Sequence, residues 1–243
     1  MINTEWLERT ELLIKEEGLK NLMKANVLVV GLGGVGSFAA EFMARAGIGK
    51  MTIVDGDEVD ETNINRQLIA LTTTIGKSKC DLMAERIYQI NPELKLIVIN
   101  EFLNPERMEE VVAGGFDYVL DCIDSIRPKI TLIKVCTRKK IKIVSSMGAG
   151  GKMDPTSLEI ANISKTYNCK MARYVRKQLK KDKVTRKFKC VFSSEIQDEE
   201  SLKLTDGSNF KKSFYGTISY MPALFGCAVA SVAIRYIAKG KSK

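Results

Sequence analysis

An α/β fold is what this sequence predicts: a doubly wound, mostly parallel sheet, with an N-terminal helix in front and a C-terminal extension completing the sheet. Three observations carry the prediction. Short apolar runs alternate with helix-periodic segments up to about residue 145. The first run, Val27–Val30, passes straight into Gly31-Leu32-Gly33-Gly34-Val35-Gly36, a G-x-G-x-x-G turn that opens a helix. The second run ends on an acid, Asp55, nineteen residues beyond Gly36. Together they make the sheet Rossmann-like.

The elements follow in order. Residues 5–25 read as a helix with Leu7, Leu12, Leu13, Leu19 and Leu22 near helical spacing. Val27–Val30 is a strand, and Val35–Ala46 a small-residue helix stopped at Gly47. Met51–Val54 is the second strand. Ser78–Ile90 is a helix stopped by Asn91-Pro92. Strands follow at Leu94–Ile99 and Phe116–Cys122. A helix over Pro128–Arg138 carries proline in its first turn, and Ile141–Ser145 is the fifth strand. After Gly148-Ala149-Gly150-Gly151 the pattern changes. Leu158–Ile163 and Phe188–Ser193 read as strands, Asn168–Lys181 as a basic helix, and 197–213 as a polar, mobile segment. Ser213–Ile234 has no charge, yet Gly216, Pro222, Gly226 and several Ser and Tyr residues interrupt it. A helix buried on the sheet explains it better than a membrane span. The chain therefore reads as one domain over 1–243, with a nucleotide-binding core in 1–150 and a substrate-binding part in 151–243.

Composition narrows the chemistry. With 243 residues, 45% of them hydrophobic, the chain can build one sizeable core. It has no histidine, which excludes His-based triads and His general bases. Its six cysteines include no Cys-x-x-Cys pair, which argues against a zinc site or a disulfide framework. Reduced thiols, and opening residues without a basic stretch leading into an apolar one, point to the cytoplasm. The net charge of +9 is local: Lys165–Cys190 holds eleven basic residues and one acid, Asp182. A basic surface of this kind signals a polyanionic partner.

The glycine turn places backbone amides at a helix N-terminus, where anions are favoured. Alone, it favours a redox dinucleotide, with Asp55 on the ribose hydroxyls. Asn63-Ile64-Asn65-Arg66-Gln67 shifts the balance. Arg66 offers a rigid donor fork for phosphate, with Asn63, Asn65 and Gln67 beside it to fix ribose or phosphate oxygens. Lys79 stands in the first turn of the 78–90 helix, where a cation opposes the dipole unless an anion lies between. Asp124 follows the fourth strand, where a carboxylate is suited to hold Mg²⁺ against a triphosphate or else to cap the next helix. Asp121 reads as structural.

The set Gly-x-Gly-Gly-Val-Gly-Ser, Asp55, Asn63-x-Asn65-Arg66-Gln67, Gly76-x-x-Lys79 and Asp124 resembles the ubiquitin-activating-enzyme superfamily, the ThiF and MoeB adenylating enzymes among its members. The resemblance implies ATP bound with its α-phosphate open to a carboxylate. It puts Gly34, Asp55 and Asn63 on the nucleoside, Arg66 and Lys79 on the phosphates, and Mg²⁺ on Asp124. Arg9 would reach into a partner subunit's site, which implies a homodimer. Two Cys-x-x-Cys zinc pairs usual in ThiF and MoeB are missing, and Ser125 stands where Asn is common. Other runs resemble the branch of tRNA threonylcarbamoyladenosine dehydratases: Trp6-x-x-Arg9-x-x-Leu12-Leu13, Asp121-Cys-Ile-Asp-Ser125 with Arg127-Pro128-Lys129, Gly148–Gly151 with Asp154-Pro155, and Lys189–Glu195.

That resemblance implies ATP-dependent cyclisation of a modified adenosine in tRNA, with a sulfur-transfer protein as a further partner and no membrane. Lys170, Arg173, Arg176, Lys177, Lys180 and Lys181 would follow the RNA backbone, with Tyr167, Tyr174 and Phe188 placed to stack on bases. Rival readings are adenylation of the C-terminus of a ubiquitin-like sulfur carrier, a dinucleotide oxidoreductase, and an RNA-binding scaffold. Cys190, flanked by Lys189, is either an acyl-accepting thiol or a small buried side chain.

Overall fold

The computed structural model describes residues 5–204 and 213–240. Seven strands form the main sheet: β1 (Asn26–Val30), β2 (Lys50–Val54), β3 (Lys95–Ile99), β4 (Tyr118–Asp121), β5 (Lys142–Ser146), β6 (Leu158–Asn162) and β7 (Lys189–Ser193). Their order is β3-β2-β1-β4-β5-β7-β6. All neighbours are parallel except β6, which runs antiparallel to β7 on the outer edge. The chain moves outward from β1 to β3, then returns to β4 on the other side of β1. The carboxyl ends of β1 and β4, paired through Val30 and Asp121, therefore flank the point where strand order reverses, the place where such sheets bind ligands.

Among the described residues seven α-helices flank the sheet: α1 (Glu8–Lys24), α2 (Gly36–Arg45), α3 (Lys79–Ile90), α4 (Pro105–Val112), α5 (Ile126–Arg138), α6 (Lys170–Lys181) and α7 (Tyr220–Ala238). The period-2 alternation of β1 sends Val27 and Val29 into one core layer, with residues of α2, α3 and α7. Leu28 and Val30 enter the other, with residues of α4, α5 and α6. A short antiparallel pair, β8 (Leu202–Leu204) with β9 (Ser213–Tyr215), stands apart from the main sheet.

The predicted architecture is the observed one, with local differences. The 5–25 helix breaks at Lys15, whose φ of 65° and ψ of 165° are not helical. The leucine stripe also splits: Leu7, Leu19 and Leu22 are buried, while Leu12 and Leu13, just before the break, are 68% and 83% exposed. Helix α4 was not predicted, although Asn104 caps it and Pro105 fills its first position, both readable signals. Helix α5 begins at Ile126, two residues earlier than the proline placed it. Part of the polar 197–213 segment, residues 205–212, lies outside the described residues. Helix α7 is long and apolar enough to cross a membrane, but over half of its 18-residue apolar window is buried inside the protein. An added Cβ at Gly226 would lie 2.4 Å from the Val35 carbonyl, so α7 presses directly on the start of α2.

Candidate active site

The glycine turn runs from the end of β1 to the start of α2. Three of its glycines are required by the protein's own packing. Gly31 adopts φ +89°, and a Cβ there would meet the Cys122 carbonyl oxygen at 2.9 Å. A Cβ on Gly36 would lie 1.6 Å from the Gly31 carbonyl, and one on Gly34 would meet Cβ of Pro222, in α7, at 2.9 Å. Gly34, expected on the nucleoside, is thus explained by the approach of α7. Gly33 differs: its nearest neighbour would be Gln67 Nε2 at 3.7 Å, ordinary contact. Nothing in the fold itself requires a glycine there, so its open side is free for a ligand.

Asp55 follows β2 and pins this turn. Its Oδ2 accepts the Leu32 N–H at 2.6 Å and its Oδ1 the Asp57 N–H at 2.8 Å. Burial raises its pKa above the usual carboxylate value, and the Leu32 N–H and the Lys79 charge oppose that. A carboxylate accepts about four hydrogen bonds, so two backbone donors leave capacity for ribose hydroxyls.

The Asn63–Gln67 cluster is ordered from within. Asn63 is buried, and its Oδ1 accepts the Asp60 N–H in a reciprocal cap of the 61–63 turn. Asn65 donates from Nδ2 to the Thr217 carbonyl at 2.9 Å and accepts from Arg66 Nη1. Arg66 Nη1 also donates to the Thr62 carbonyl at 2.7 Å. Burial lowers the Arg66 pKa somewhat, while the carboxylates of Asp124 and Asp60 hold the charge in place. Among the described residues, Gln67 Oε1 is the only buried side-chain oxygen or nitrogen without a hydrogen-bond partner. Gln67 turns its Nε2 toward Gly33, and the orphaned acceptor at the other end of the same amide is what a polar ligand would satisfy.

Lys79, almost fully buried at the start of α3, pairs with Asp57 at 2.9 Å. Asp57 thus offsets the cation at the helix N-terminus, where an anion was expected to be needed. Asp124 lies in the exposed loop after β4, near enough for its charge to act on Arg66. The cap position of α5 falls to Ser125, one residue on, whose Oγ donates to Asp124 Oδ1 at 3.3 Å. Asp121 is structural, as expected: it is fully buried and pairs with Lys129 at 2.8 Å. The sequence reading missed Thr217 and Pro222. Their approach to the turn is a long-range consequence of how α7 docks, and no local pattern announces it.

Other predicted residues lie elsewhere. Arg9 is exposed on the first turn of α1. The preceding Leu7 packs on Gly47, at the turn feeding β2, so the fold does not bring Arg9 to its own glycine turn. The outer face of α6 exposes Arg173, Lys177, Lys180 and Lys181, beside half-exposed Tyr174 and Tyr167. Lys170 is engaged by Glu199 at 2.8 Å and by the Tyr215 hydroxyl. Arg176 turns inward onto the carbonyl and hydroxyl of Thr166. Phe188, expected to stack on bases, is buried in the core. Cys190 is buried on β7, and burial pushes its thiol up to about 12. The flanking Lys189 points outward and does not activate it.

Residues 7–243 match the model of the ThiF family. A Bacillus subtilis tRNA threonylcarbamoyladenosine dehydratase is 48% identical over 187 residues, which are 77% of this chain and 74% of that protein. An Escherichia coli protein of the same name is 43% identical over 205 residues, 80% of this chain and 76% of its own length. The crystal structure of E. coli tRNA N6-threonylcarbamoyladenosine dehydratase in complex with ATP superposes with a TM-score of 0.87 at 38% identity. That match covers 98% of this chain and 97% of the other.

Proposed function

The chain belongs to the ThiF family, and from that premise we propose that it is an ATP-dependent dehydratase that cyclises threonylcarbamoyladenosine in tRNA. The observation that carries this reading is a near full-length likeness to a dehydratase crystallised with ATP, coupled to an orphaned acceptor and an open glycine at the carboxyl end of this sheet.

In this reading the nucleotide lies across the β1–β4 crevice. The open side of Gly33 admits it, Gln67 Oε1 receives a hydrogen bond from it, and Asp55 takes ribose hydroxyls. Asn63 and Asn65 shape the turn that presents Arg66. The Arg66 fork and the Lys79 ammonium, aimed by Asp57, hold the phosphates. The threonyl carboxylate attacks the α-phosphate and pyrophosphate leaves. The substrate's own carbamoyl group then closes on the activated acyl carbon, releasing AMP and a proton, for a net loss of one water. Holding both reacting groups in one substrate supplies much of the second step. Mg²⁺, when bound, neutralises charge on the phosphates. Asp124 is the side chain that would hold it; no cluster of three ligating side chains exists among the described residues.

The same reading makes the chain a single adenylating domain and a cytoplasmic homodimer. Arg9 would complete the partner's phosphate site, and the exposed Leu12 and Leu13 beside it would be covered by that partner. Arg173, Lys177, Lys180 and Lys181 would run along the tRNA backbone while Tyr174 meets an unpaired base.

The test uses tRNA from a strain lacking this gene. Incubation with protein, ATP and Mg²⁺ should remove the mass of one water from the threonylcarbamoyladenosine nucleoside. ATP–pyrophosphate exchange stimulated by a ubiquitin-like carrier, and not by tRNA, would overturn the proposal.

A further inference from the structure

We infer that Lys129, buried behind the nucleotide site, is a positioning residue that fixes through Asp121 the backbone carrying Asp124; the inference rests on the adenylation reading above. Lys129 and Asp121 are both fully buried. Lys129 Nζ donates to Asp121 Oδ2 at 2.8 Å, to the Ser146 carbonyl at 2.8 Å and, more weakly, to Ser145 Oγ at 3.4 Å. Those bonds use all three protons of the ammonium. Ser145 Oγ donates back to Asp121 Oδ2 at 2.5 Å. The other carboxylate oxygen, Oδ1, accepts the backbone N–H of Ile123 at 3.1 Å.

One ion pair therefore joins three elements where they meet the crevice: the end of β4, the end of β5 and the first turn of α5. The bond to Ile123 sits one residue before Asp124. The bond to Ser146 sits where β5 leads into the Gly148–Gly151 loop. Stability alone does not explain such a pair. Desolvating two charges costs as much as their attraction returns, and apolar residues of equal volume often do as well or better. Apolar residues cannot, however, bond the Ile123 amide and the Ser146 carbonyl together. The geometry of the loop is what the pair uniquely supplies, and ligand-orienting partners of this kind typically affect metal affinity about 10- to 100-fold.

The test pairs substitutions, because Lys129→Met alone strands a buried carboxylate and would destabilise the protein for that reason. Asp121→Leu with Lys129→Met removes both charges and should fold. Three readouts are taken on this variant and on the unaltered protein: thermal melting, exchange of the Ile123 amide, and calorimetric ATP affinity with and without Mg²⁺. We expect a smaller melting loss than for Lys129→Met alone, since the orphaned hydrogen-bonding groups cost less than a stranded buried charge, together with faster Ile123 exchange and a loss of about tenfold in Mg²⁺-dependent ATP affinity, with Mg²⁺-free affinity unchanged. Lys129→Arg, which keeps the charge, should recover part of it. Unchanged Mg²⁺ dependence in the paired variant would overturn the inference. So would an equal loss with and without Mg²⁺, which would mark general damage. If the unaltered protein gains no ATP affinity from Mg²⁺, the adenylation reading fails first and takes this inference with it.

Discussion

The rim formed by the ends of β1, β2 and β4 and the outer face of α6 are both rich in charge, and they hold it in opposite ways. At the rim, Asp55 is fixed by backbone N–H groups, Lys79 by Asp57, and Arg66 by Asn65 and the Thr62 carbonyl. On α6, Arg173, Lys177, Lys180 and Lys181 stand in solvent, with no ion pair among the described residues, while Ala172, Val175 and Leu179 anchor the helix beneath them. A small ligand with a reacting phosphate needs donors already in place, since that is how electrostatic stabilisation avoids reorganisation. A long polyanion needs only accessible charge, because its affinity comes largely from released counterions. Single substitutions should therefore be severe at the rim and mild on α6.

Arg66→Ala is the harshest test of that contrast. It should lower kcat/KM by about 10²–10³-fold, as removal of one fixed donor to developing charge does. Affinity for tRNA, read by filter binding, should stay within about twofold, since the basic face is intact. A parallel loss of tRNA affinity would show that the two regions form one surface.

Gly33→Ala sharpens the reading of the turn. The added Cβ meets Gln67 only at ordinary contact distance, and Gly33 is not in the left-handed region. Melting should not fall, and a gain of about 0.4–1 kcal/mol from lost unfolded-state freedom is the expectation. ATP affinity by calorimetry should drop about tenfold or more, equivalent to roughly 1.4 kcal/mol. Gly36→Ala would instead fail to fold properly, because its Cβ would overlap the Gly31 carbonyl. A normal ATP affinity in Gly33→Ala would remove the open side of Gly33 as evidence for a ligand.

On α6 the effect should emerge only in combination. Any one of Arg173, Lys177, Lys180 and Lys181 changed to Ala should weaken tRNA binding several-fold at most. All four together should flatten the slope of log affinity against log salt by about 0.7–0.9 for each phosphate that is no longer neutralised. An unchanged slope would place the tRNA elsewhere on the molecule.

The contrast also explains what the sequence disclosed. The strands and the glycine turn were legible because period-2 burial and local sterics leave marks within a few residues of each other. The Asn63–Gln67 cluster was legible as donors, but the capping of Asn63 by Asp60 and the tie from Asn65 to Thr217 depend on the fold. The resemblance puts Gly34 on the nucleoside, and nothing in the glycine pattern shows that Pro222 of α7 also packs against it. On α6 the charge count was plain, yet Arg176, Lys170 and Phe188 were indistinguishable from their neighbours until the helix acquired an inside. The exposure of Leu12 and Leu13 is likewise a property of the docked helix, since leucines near helical spacing look alike in the sequence.

Cys190 offers the smallest effect and the cleanest separation of the rim from the rest of the sheet. Its thiol, buried on β7, ionises only near about 12, against an ordinary value of 9.0. The folded state thus holds a proton that the unfolded chain releases at lower pH. The stability this contributes is complete below the ordinary thiol value and is lost as pH rises toward the folded one. Between neutrality and mildly alkaline pH the group is a neutral thiol in an apolar site, unfit to attack an acyl-adenylate. Cys190→Ala should leave kcat and its pH profile unchanged there and cost about 1 kcal/mol by urea unfolding, the price of a small cavity. Alkylation of the folded protein should spare this position. An acyl group trapped on Cys190 by mass spectrometry during turnover would break the picture, because it would carry the chemistry from the rim to the neighbouring half of the sheet and end the case for ring closure within the substrate alone.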